Sequence, residues 1–445
     1  MSYVKGYLNS RIKYHGRKNT RISGKFSFVG MGLMGSRVVD TIAQLKDSED
    51  RPYYPTLAIN TNVQDLDSIE NCKNKLALKG YERGAGRDPR IGYKALVENE
   101  AEVKSRLKHI ASDQDMVFII AGLGGGTGTG SILSIMKWAS EIQEYFGVNF
   151  GLIISIPRKR DKRVENENAL AVLAKLNDIV SELPIIIIDN ELLYNEYKAK
   201  REKGEIGPGI DWTSDSNLTV ASLIHQLNLI TSFKPYGNKH FDGQELLRVL
   251  NVGGCITFAR ADLTLSEFKD NNALIAKILE SIDNGVVAGG YNYKAEAKSI
   301  GFSVISPANK SDQVLDILAM EALEDSINKL LPHADTFWGT YIDQNETDKV
   351  YVFSVISGMG LPNRIEEIVE YVRTSNNTET RIKYLDIGEV NLSQKLKPKT
   401  LDIDNPFDQE ENNSFKGGAT DLDFEDEKTA KNPGLNLKNI PAWLE

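Results

Sequence analysis

The residues best suited to chemistry form one dense run: Gly124, Gly125, Gly126, Thr127, Gly128, Thr129, Gly130 and Ser131. Glycines let a backbone turn tightly and approach a ligand closely. Amides at a helix start, backed by the helix dipole, bind anions. The threonines and the serine add hydroxyl donors. The run directly follows an apolar, strand-like segment, Met116 to Ala121, and opens a helical pattern through Ile132, Leu133, Ile135 and Met136. Its chemistry is that of a phosphate cradle. It is neither common type, because there is no GxxxxGK[ST] and it is too dense in Gly and Thr for an ordinary GxGxxG.

Further loops fall at the ends of strand-like segments. Gly30, Met31, Gly32, Leu33, Met34, Gly35 and Ser36 follow the first of these segments. Alone, that pattern reads as a dinucleotide fingerprint and predicts an acid about 20 residues on. The chain instead places Asn60, Thr61 and Asn62 at the end of the next strand, which counts against a nicotinamide enzyme. The loop Gly80 to Gly92 offers Ala85 and Gly86 for backbone contact with a terminal phosphate, and Arg87 for charge. Taken by itself it also reads as a surface loop. Asn190 follows the strand Ile185–Ile188, and Asn217 begins a long helical pattern. An amide both donates and accepts, so the pair could read a purine edge. Each alone is also an ordinary cap or turn residue.

These loops need a frame. Residues 25–188 alternate strand and helix, with strands expected at Phe26–Val29, Thr56–Ile59, Met116–Ala121, Phe150–Ile156 and Ile185–Ile188. They are short and apolar throughout, as buried parallel strands should be. The expected fold is α/β, a doubly wound parallel sheet with ligands at the carboxyl ends of its strands. A long helix is expected at about 214–232. Strands at Cys255–Ala259, Ser299–Ser306 and Val350–Ile356, with helices near 265–284, 311–331 and 363–374, make a second, smaller α+β domain. The expected division is a basic extension at 1–24, a nucleotide-binding domain at 25–212, a central helix at 213–234, the second domain at 235–390 and a disordered acidic tail at 391–445.

The chain has 445 residues, with 53 Lys and Arg against 62 Asp and Glu, a net charge of −9. It is not a basic nucleic-acid coat. Residues 1–25 nevertheless hold seven Lys or Arg and no acid, while residues 402–445 hold eleven acids against four lysines. Such ends suit arms that meet partners, or plain solvated termini. The two cysteines, Cys72 and Cys255, give neither a disulfide framework nor metal-ligand spacing. With no secretory leader pattern and no apolar run near the ~18 residues of a membrane span, a cytoplasmic setting is expected.

In combination these loops resemble the tubulin/FtsZ family of GTPases, over roughly residues 25–375. Within it the similarity leans to the TubZ group of plasmid- and phage-borne tubulins. The run Gly124–Gly130 looks like the family's signature loop. Gly30–Ser36, Asn60–Asn62 and Gly80–Gly92 are similar to its other phosphate-side loops, and Asn190 and Asn217 fall where the family holds guanine. The resemblance implies GTP and GDP as ligands, Mg2+ on the phosphates without protein side chains as certain ligands, and subunits stacked head to tail. It also implies catalysis shared between subunits. The loop Gly237–Glu245 would insert Asp242 and Glu245, three apart at a helix start, into the next subunit's site.

Departures from the family's pattern bear on the assignment. His240 stands where the family commonly has Asn. Ser131, Ile132 and Leu133 replace the Ala-Ala-Pro usual in FtsZ. Residues 158–163 lack the FtsZ-like Pro-Phe and Glu-Gly pair, and Asp161 is expected near the ribose. The departures at 131–133 and 158–163 favour TubZ, whereas His240 bears on how the attacking water is positioned. The terminal Ile440, Pro441, Ala442, Trp443 and Leu444 look instead like the adaptor-binding peptide of FtsZ. The implied role is segregation or positioning of plasmid or phage DNA, through a DNA-binding adaptor docking on residues 435–444. The alternative is a cell-division scaffold held by a membrane-associated adaptor. Direct DNA contact has only the basic first 25 residues behind it.

Overall fold

The computed structural model describes residues 22–374, apart from 48, 208, 265–270, 286 and 344–348. The expected N-terminal extension (up to residue 21) and the docking peptide at 435–444 lie outside the described residues.

Among the described residues eleven strands form one sheet. They are β1 (Phe26–Met31), β2 (Thr56–Asn60), β3 (Lys75–Ala77), β4 (Met116–Gly122), β5 (Asn149–Ile156), β6 (Pro184–Asp189), β7 (Lys234–Pro235), β8 (Gly254–Thr264), β9 (Ser299–Pro307), β10 (Asp335–Asp343) and β11 (Lys349–Met359). Their order is β3-β2-β1-β4-β5-β6-β8-β11-β9-β10-β7. The first six are mutually parallel, as the apolar runs predict. The halves join where β6 meets β8, at Pro184↔Gly254 and Ile185↔Cys255. Beyond that join the sheet changes character: β11 runs antiparallel to both β8 and β9.

Period-two alternation sorts each strand between two cores. Phe26, Phe28, Met116, Phe118 and Ile120 enter one, and Val29, Met31, Val117, Ile119 and Ala121 the other. Helices must therefore cover both faces. The central helix Trp212–Leu227 lies on the first of these cores, burying Leu218, Ala221, Ile224 and Leu227. It is shorter than the 214–232 pattern, and the reason is local. The buried Asn228 amide accepts from Gly24 N (2.7 Å) and donates to Gly24 O (2.8 Å), so the chain turns there to hold the start of β1.

The second half carries more regular structure than its sequence pattern suggests. Strand β10, Asp-Thr-Phe-Trp-Gly-Thr-Tyr-Ile-Asp, was not expected; it pairs in parallel with β9 along its whole length. The helices Asn271–Asn284, Ile317–Leu330 and Arg364–Thr374 fall within or near the expected spans.

A candidate nucleotide-binding site

The carboxyl ends of β1, β2, β4, β5 and β6, with the start of the central helix, surround a cavity of about 680 Å3. That is the size range of a small-molecule site. Its wall includes Gly32, Leu33 and Met34; Asn60 and Asn62; Ala85, Gly86 and Arg87; Gly124, Gly125, Gly126, Thr127 and Gly128; Asp161; Asn190; and Asn217. Loops spread along the chain from Met31 to Val220 are thus brought to one opening.

Five expected residues do not reach the wall: Gly30, Gly35, Ser36, Thr129 and Gly130. The glycines among them serve packing. A Cβ on Gly30 would fall 2.2 Å from Gly35 O, one on Gly35 2.2 Å from Ile120 O, and one on Gly130 2.2 Å from Pro89 O. Ser36 and Thr129 are fully buried, and the Thr129 hydroxyl donates to Gly125 O. The close approaches of these glycines let the phosphate loops crowd together.

The helix Thr127–Phe146 starts inside the glycine run, and its cap residue, Gly126, makes no side-chain cap bond. Its first amides therefore remain available to an anion. The run is held from both sides. Thr61 and Thr127 hydroxyls meet at 2.6 Å. Asn168 Nδ2 donates to Arg87 O (2.9 Å) and Gly124 O (3.2 Å), joining two of the loops. A Cβ on Gly126 would lie 2.7 Å from the Ala85 Cβ and 2.8 Å from Asp88 O. Gly32, at φ +70, brings the β1 loop so close that a Cβ would sit 2.9 Å from Gly128 N.

The charged residues of the wall are mostly engaged. Arg87 Nε lies 3.2 Å from Glu165 Oε1. Asp161 accepts from Arg158 N (2.9 Å), Nε (3.0 Å) and Nη2 (2.9 Å). Its carboxylate holds Arg158, which leaves less of it for a sugar hydroxyl. Arg158 in turn stacks on Tyr194 (4.6 Å) and Trp212 (4.7 Å). Asp65, bonded by Asn60 Nδ2 (3.1 Å), is the wall carboxylate with no basic partner among the described residues.

Sequence reasoning missed the wall residues Asp65, Trp212, Thr213 and Ser216, and did not single out Thr61 and Arg83 within the loops 60–62 and 80–92 that it placed at the site. Helical spacing could have found some. Thr213 lies one turn before Asn217, and Ser216 and Val220 share that face. Asp211 caps this helix, accepting from Thr213 N (2.8 Å) and Ser214 N (3.0 Å). Burial works against its charge, but the bonds from Thr213 and Ser214 outweigh that and hold its carboxyl down to about 2.

Asp242 and Glu245 are not on the wall of their own chain's cavity. They form a capping box on the helix Gly243–Asn251. Asp242 Oδ1 accepts from Glu245 N (2.9 Å), and Glu245 Oε2 accepts from Asp242 N (3.1 Å). The preceding Phe241 is buried, and the Tyr341 hydroxyl both accepts from its amide (3.1 Å) and donates to its carbonyl. His240 is exposed. Among the described residues no group of three or more His, Cys, Asp or Glu is placed to hold a metal ion.

The second half of the chain also reaches this site. Arg364 Nη2 donates to Pro157 O (3.1 Å), and its Nε lies 3.5 Å from Asp189 Oδ1. Pro157 is on the cavity wall, and Asp189 caps the helix that begins with Asn190.

A family model described as the GTPase domain of the tubulin/FtsZ family matches residues 25–198, and one described as a TubZ-like C-terminal domain matches residues 226–369. The tubulin-like protein TubZ of Bacillus cereus is 30% identical over 378 residues, covering 81% of this chain and 84% of that protein. Two solved structures share the fold. The GTPγS-form protofilament of Bacillus thuringiensis serovar israelensis TubZ superposes with a TM-score of 0.70 at 21% identity, over 83% of this chain and 97% of that one. A structure described as type III plasmid segregation TubZ superposes with a TM-score of 0.68 at 20% identity, over 84% of this chain and 99% of that one. Arrangement and sequence agree: the chain belongs to the tubulin/FtsZ family of GTPases, and its C-terminal half is of the TubZ type.

Proposed function

We propose that the protein is a filament-forming GTPase whose hydrolytic site is completed by a second subunit. One observation carries this reading. The phosphate loops and both asparagines converge on one cavity, while the acidic pair Asp242 and Glu245 lies off its wall. Phosphates would rest on the amides of Gly124–Gly128, with the terminal phosphate towards Ala85, Gly86 and Arg87. The base would lie between Asn190 and Asn217. Asp242 and Glu245 of the next subunit would polarise the attacking water, a group-positioning role typical of nucleotide hydrolysis. Mg2+ entering on the phosphates would neutralise their charge, and Asp65, a wall carboxylate with no basic partner among the described residues, would be available to it.

A head-to-tail contact is heterologous and does not close, so it builds a filament. The neighbour crystallised as a GTPγS protofilament supports this assembly. We assign the filament to segregation or positioning of plasmid or phage DNA, on the support of the TubZ relative and of the neighbour described by plasmid segregation. A DNA-binding adaptor would dock on residues 435–444. The FtsZ-like scaffold reading rests on Ile440–Leu444, outside the described residues. No helix among the described residues is long and apolar enough to cross a membrane.

The test is GTP turnover per subunit against protein concentration. Turnover should rise steeply above a critical concentration at which light scattering also appears. Turnover per subunit independent of concentration would refute a shared site. A peptide of residues 432–445 separates the roles: capture of a helix-turn-helix protein fits segregation, and of a membrane-associated protein fits division. Loss of salt-sensitive DNA retention on deleting residues 1–25 would establish direct DNA contact, and unchanged retention would remove it.

A further inference from the structure

Among the described residues three positions other than glycine hold a left-handed backbone: Asp50 (φ +65), Arg87 (φ +66) and Asp113 (φ +59). Aspartate is at ease there, because its short polar group bonds locally. Arginine is not, so the conformation at Arg87 must be held by its surroundings. Arg87 lies on the cavity wall with Ala85 and Gly86. Gly84 (φ +94) and Gly86 (φ +57), just before it, share the left-handed bend.

The hold comes from the helix Arg163–Ile179. Asn168 Nδ2 donates to Arg87 O at 2.9 Å and to Gly124 O at 3.2 Å, so both of its hydrogens serve backbone carbonyls. Three residues earlier, on the same face, Glu165 Oε1 lies 3.2 Å from Arg87 Nε. The helix buries Asn166, Ala169, Leu170 and Leu173, which gives these two polar groups a fixed base. A planar trans peptide sets its N–H opposite its C=O. With Gly124 O turned to Asn168, the Gly125 amide is turned away from it, and Gly125 is a wall residue with open space beside it. Asn168 itself is half-buried and off the wall.

We infer that Asn168 is the positioning residue that lets this site tell a nucleoside triphosphate from a diphosphate; this rests on the reading that Gly124–Gly128 cradle phosphates and Ala85–Arg87 meet the terminal one. The Asn168 amide keeps Arg87 in its strained turn and locks that turn to the glycine run. Ala85, Gly86 and the Gly125 amide then keep the spacing that a terminal phosphate needs. Without that lock a triphosphate must order the loop out of its own binding energy. A diphosphate leaves the loop untouched and loses little, and a ligand can favour an arrangement only by its differential affinity for it.

The experiment titrates the full chain, at concentrations too low for polymer, with GTPγS and separately with GDP, comparing the wild type with Asn168→Leu. Leucine has nearly the shape of asparagine, without its donors and without a new charge. Two neutral hydrogen bonds are lost, so GTPγS affinity should fall about tenfold, while GDP affinity should change by less than about twofold. Asn168→Ala should shift the ratio in the same direction; a shift confined to Asn168→Leu would assign it to bulk and overturn the inference. Equal losses for the two nucleotides, or an unchanged ratio, would overturn it too, because a residue that only supports the fold weakens both alike. A wild type that binds neither nucleotide would instead remove the reading beneath it.

Discussion

Arg364 and Asp189, 175 residues apart in the chain, meet inside the protein: Arg364 Nε lies 3.5 Å from Asp189 Oδ1, and both side chains are nearly fully buried. The same guanidinium donates to Pro157 O and lies 3.4 Å from Glu367. Lys159 adds a bond of 2.9 Å to Glu367, while its amide donates to Glu191 Oε2 (3.0 Å). One arginine therefore fixes the last described helix against two segments that wall the cavity.

Breaking this pair should be costly, because removing one partner leaves a charge buried without its counter-ion. Arg364→Met should destabilise the fold by about 3 kcal/mol, and Asp189→Asn/Arg364→Met should recover much of that loss. Urea unfolding of the three proteins checks it. A double variant no more stable than Arg364→Met would mean that the ion pair is not the source of the loss.

The pair also predicts a pH dependence. Burial pushes the Asp189 carboxyl above its ordinary value of 3.8, and the nearby Arg364 only partly offsets this. The folded state therefore holds this proton more tightly than the unfolded chain. Its contribution is fully present below the ordinary carboxylate value and is lost as pH rises through the raised one. Asp189→Asn retains a capping side chain and should flatten stability in that window, from about pH 4 upward. An unaltered slope would show that another group is responsible.

Asp242 has a structural duty as well as a proposed chemical one, so the choice of substitution matters. Asp242→Ala removes a helix cap and should cost about 1 kcal/mol, whereas Asp242→Asn keeps a capping oxygen. Both should slow GTP hydrolysis on the order of 100-fold. Thermal unfolding beside turnover separates the effects. Full activity in the well-folded Asn variant would remove the carboxylate from the mechanism.

Adjacent glycines of the signature run should respond differently to the same change. A Cβ at Gly126 meets Ala85 and Asp88 at under 3 Å, while one at Gly125 meets nothing within 4 Å. Gly126→Ala should shift the loops and weaken nucleotide binding by about 1–3 kcal/mol, with Gly125→Ala close to wild type. Titration with a fluorescent GTP analogue checks this, and equal effects would contradict the packing described.

These particulars show what was legible in the chain. The parallel strands and their terminal loops could be read because buried strands are uniformly apolar and phosphate loops need glycine. Which glycines face a ligand could not. Gly30, Gly35 and Gly130 are required for close backbone approach, and a missing Cβ looks the same in either role. The end of the central helix escaped because the bond from Asn228 to Gly24 spans 204 residues. Arg364 escaped for the same reason: its partners are brought beside it only by the completed sheet.

The central claim is that one subunit's Asp242 serves another subunit's nucleotide. The most direct measurement mixes two defective proteins. Asp242→Ala keeps its cavity but lacks the acid. Gly125→Asp keeps the acid but places a negative charge in the phosphate cradle, at a position with open space for the side chain. Each alone should hydrolyse GTP poorly, and the mixture should regain a substantial fraction of wild-type turnover. A mixture no more active than the sum of its parts, with both proteins folded, would contradict a site shared between subunits.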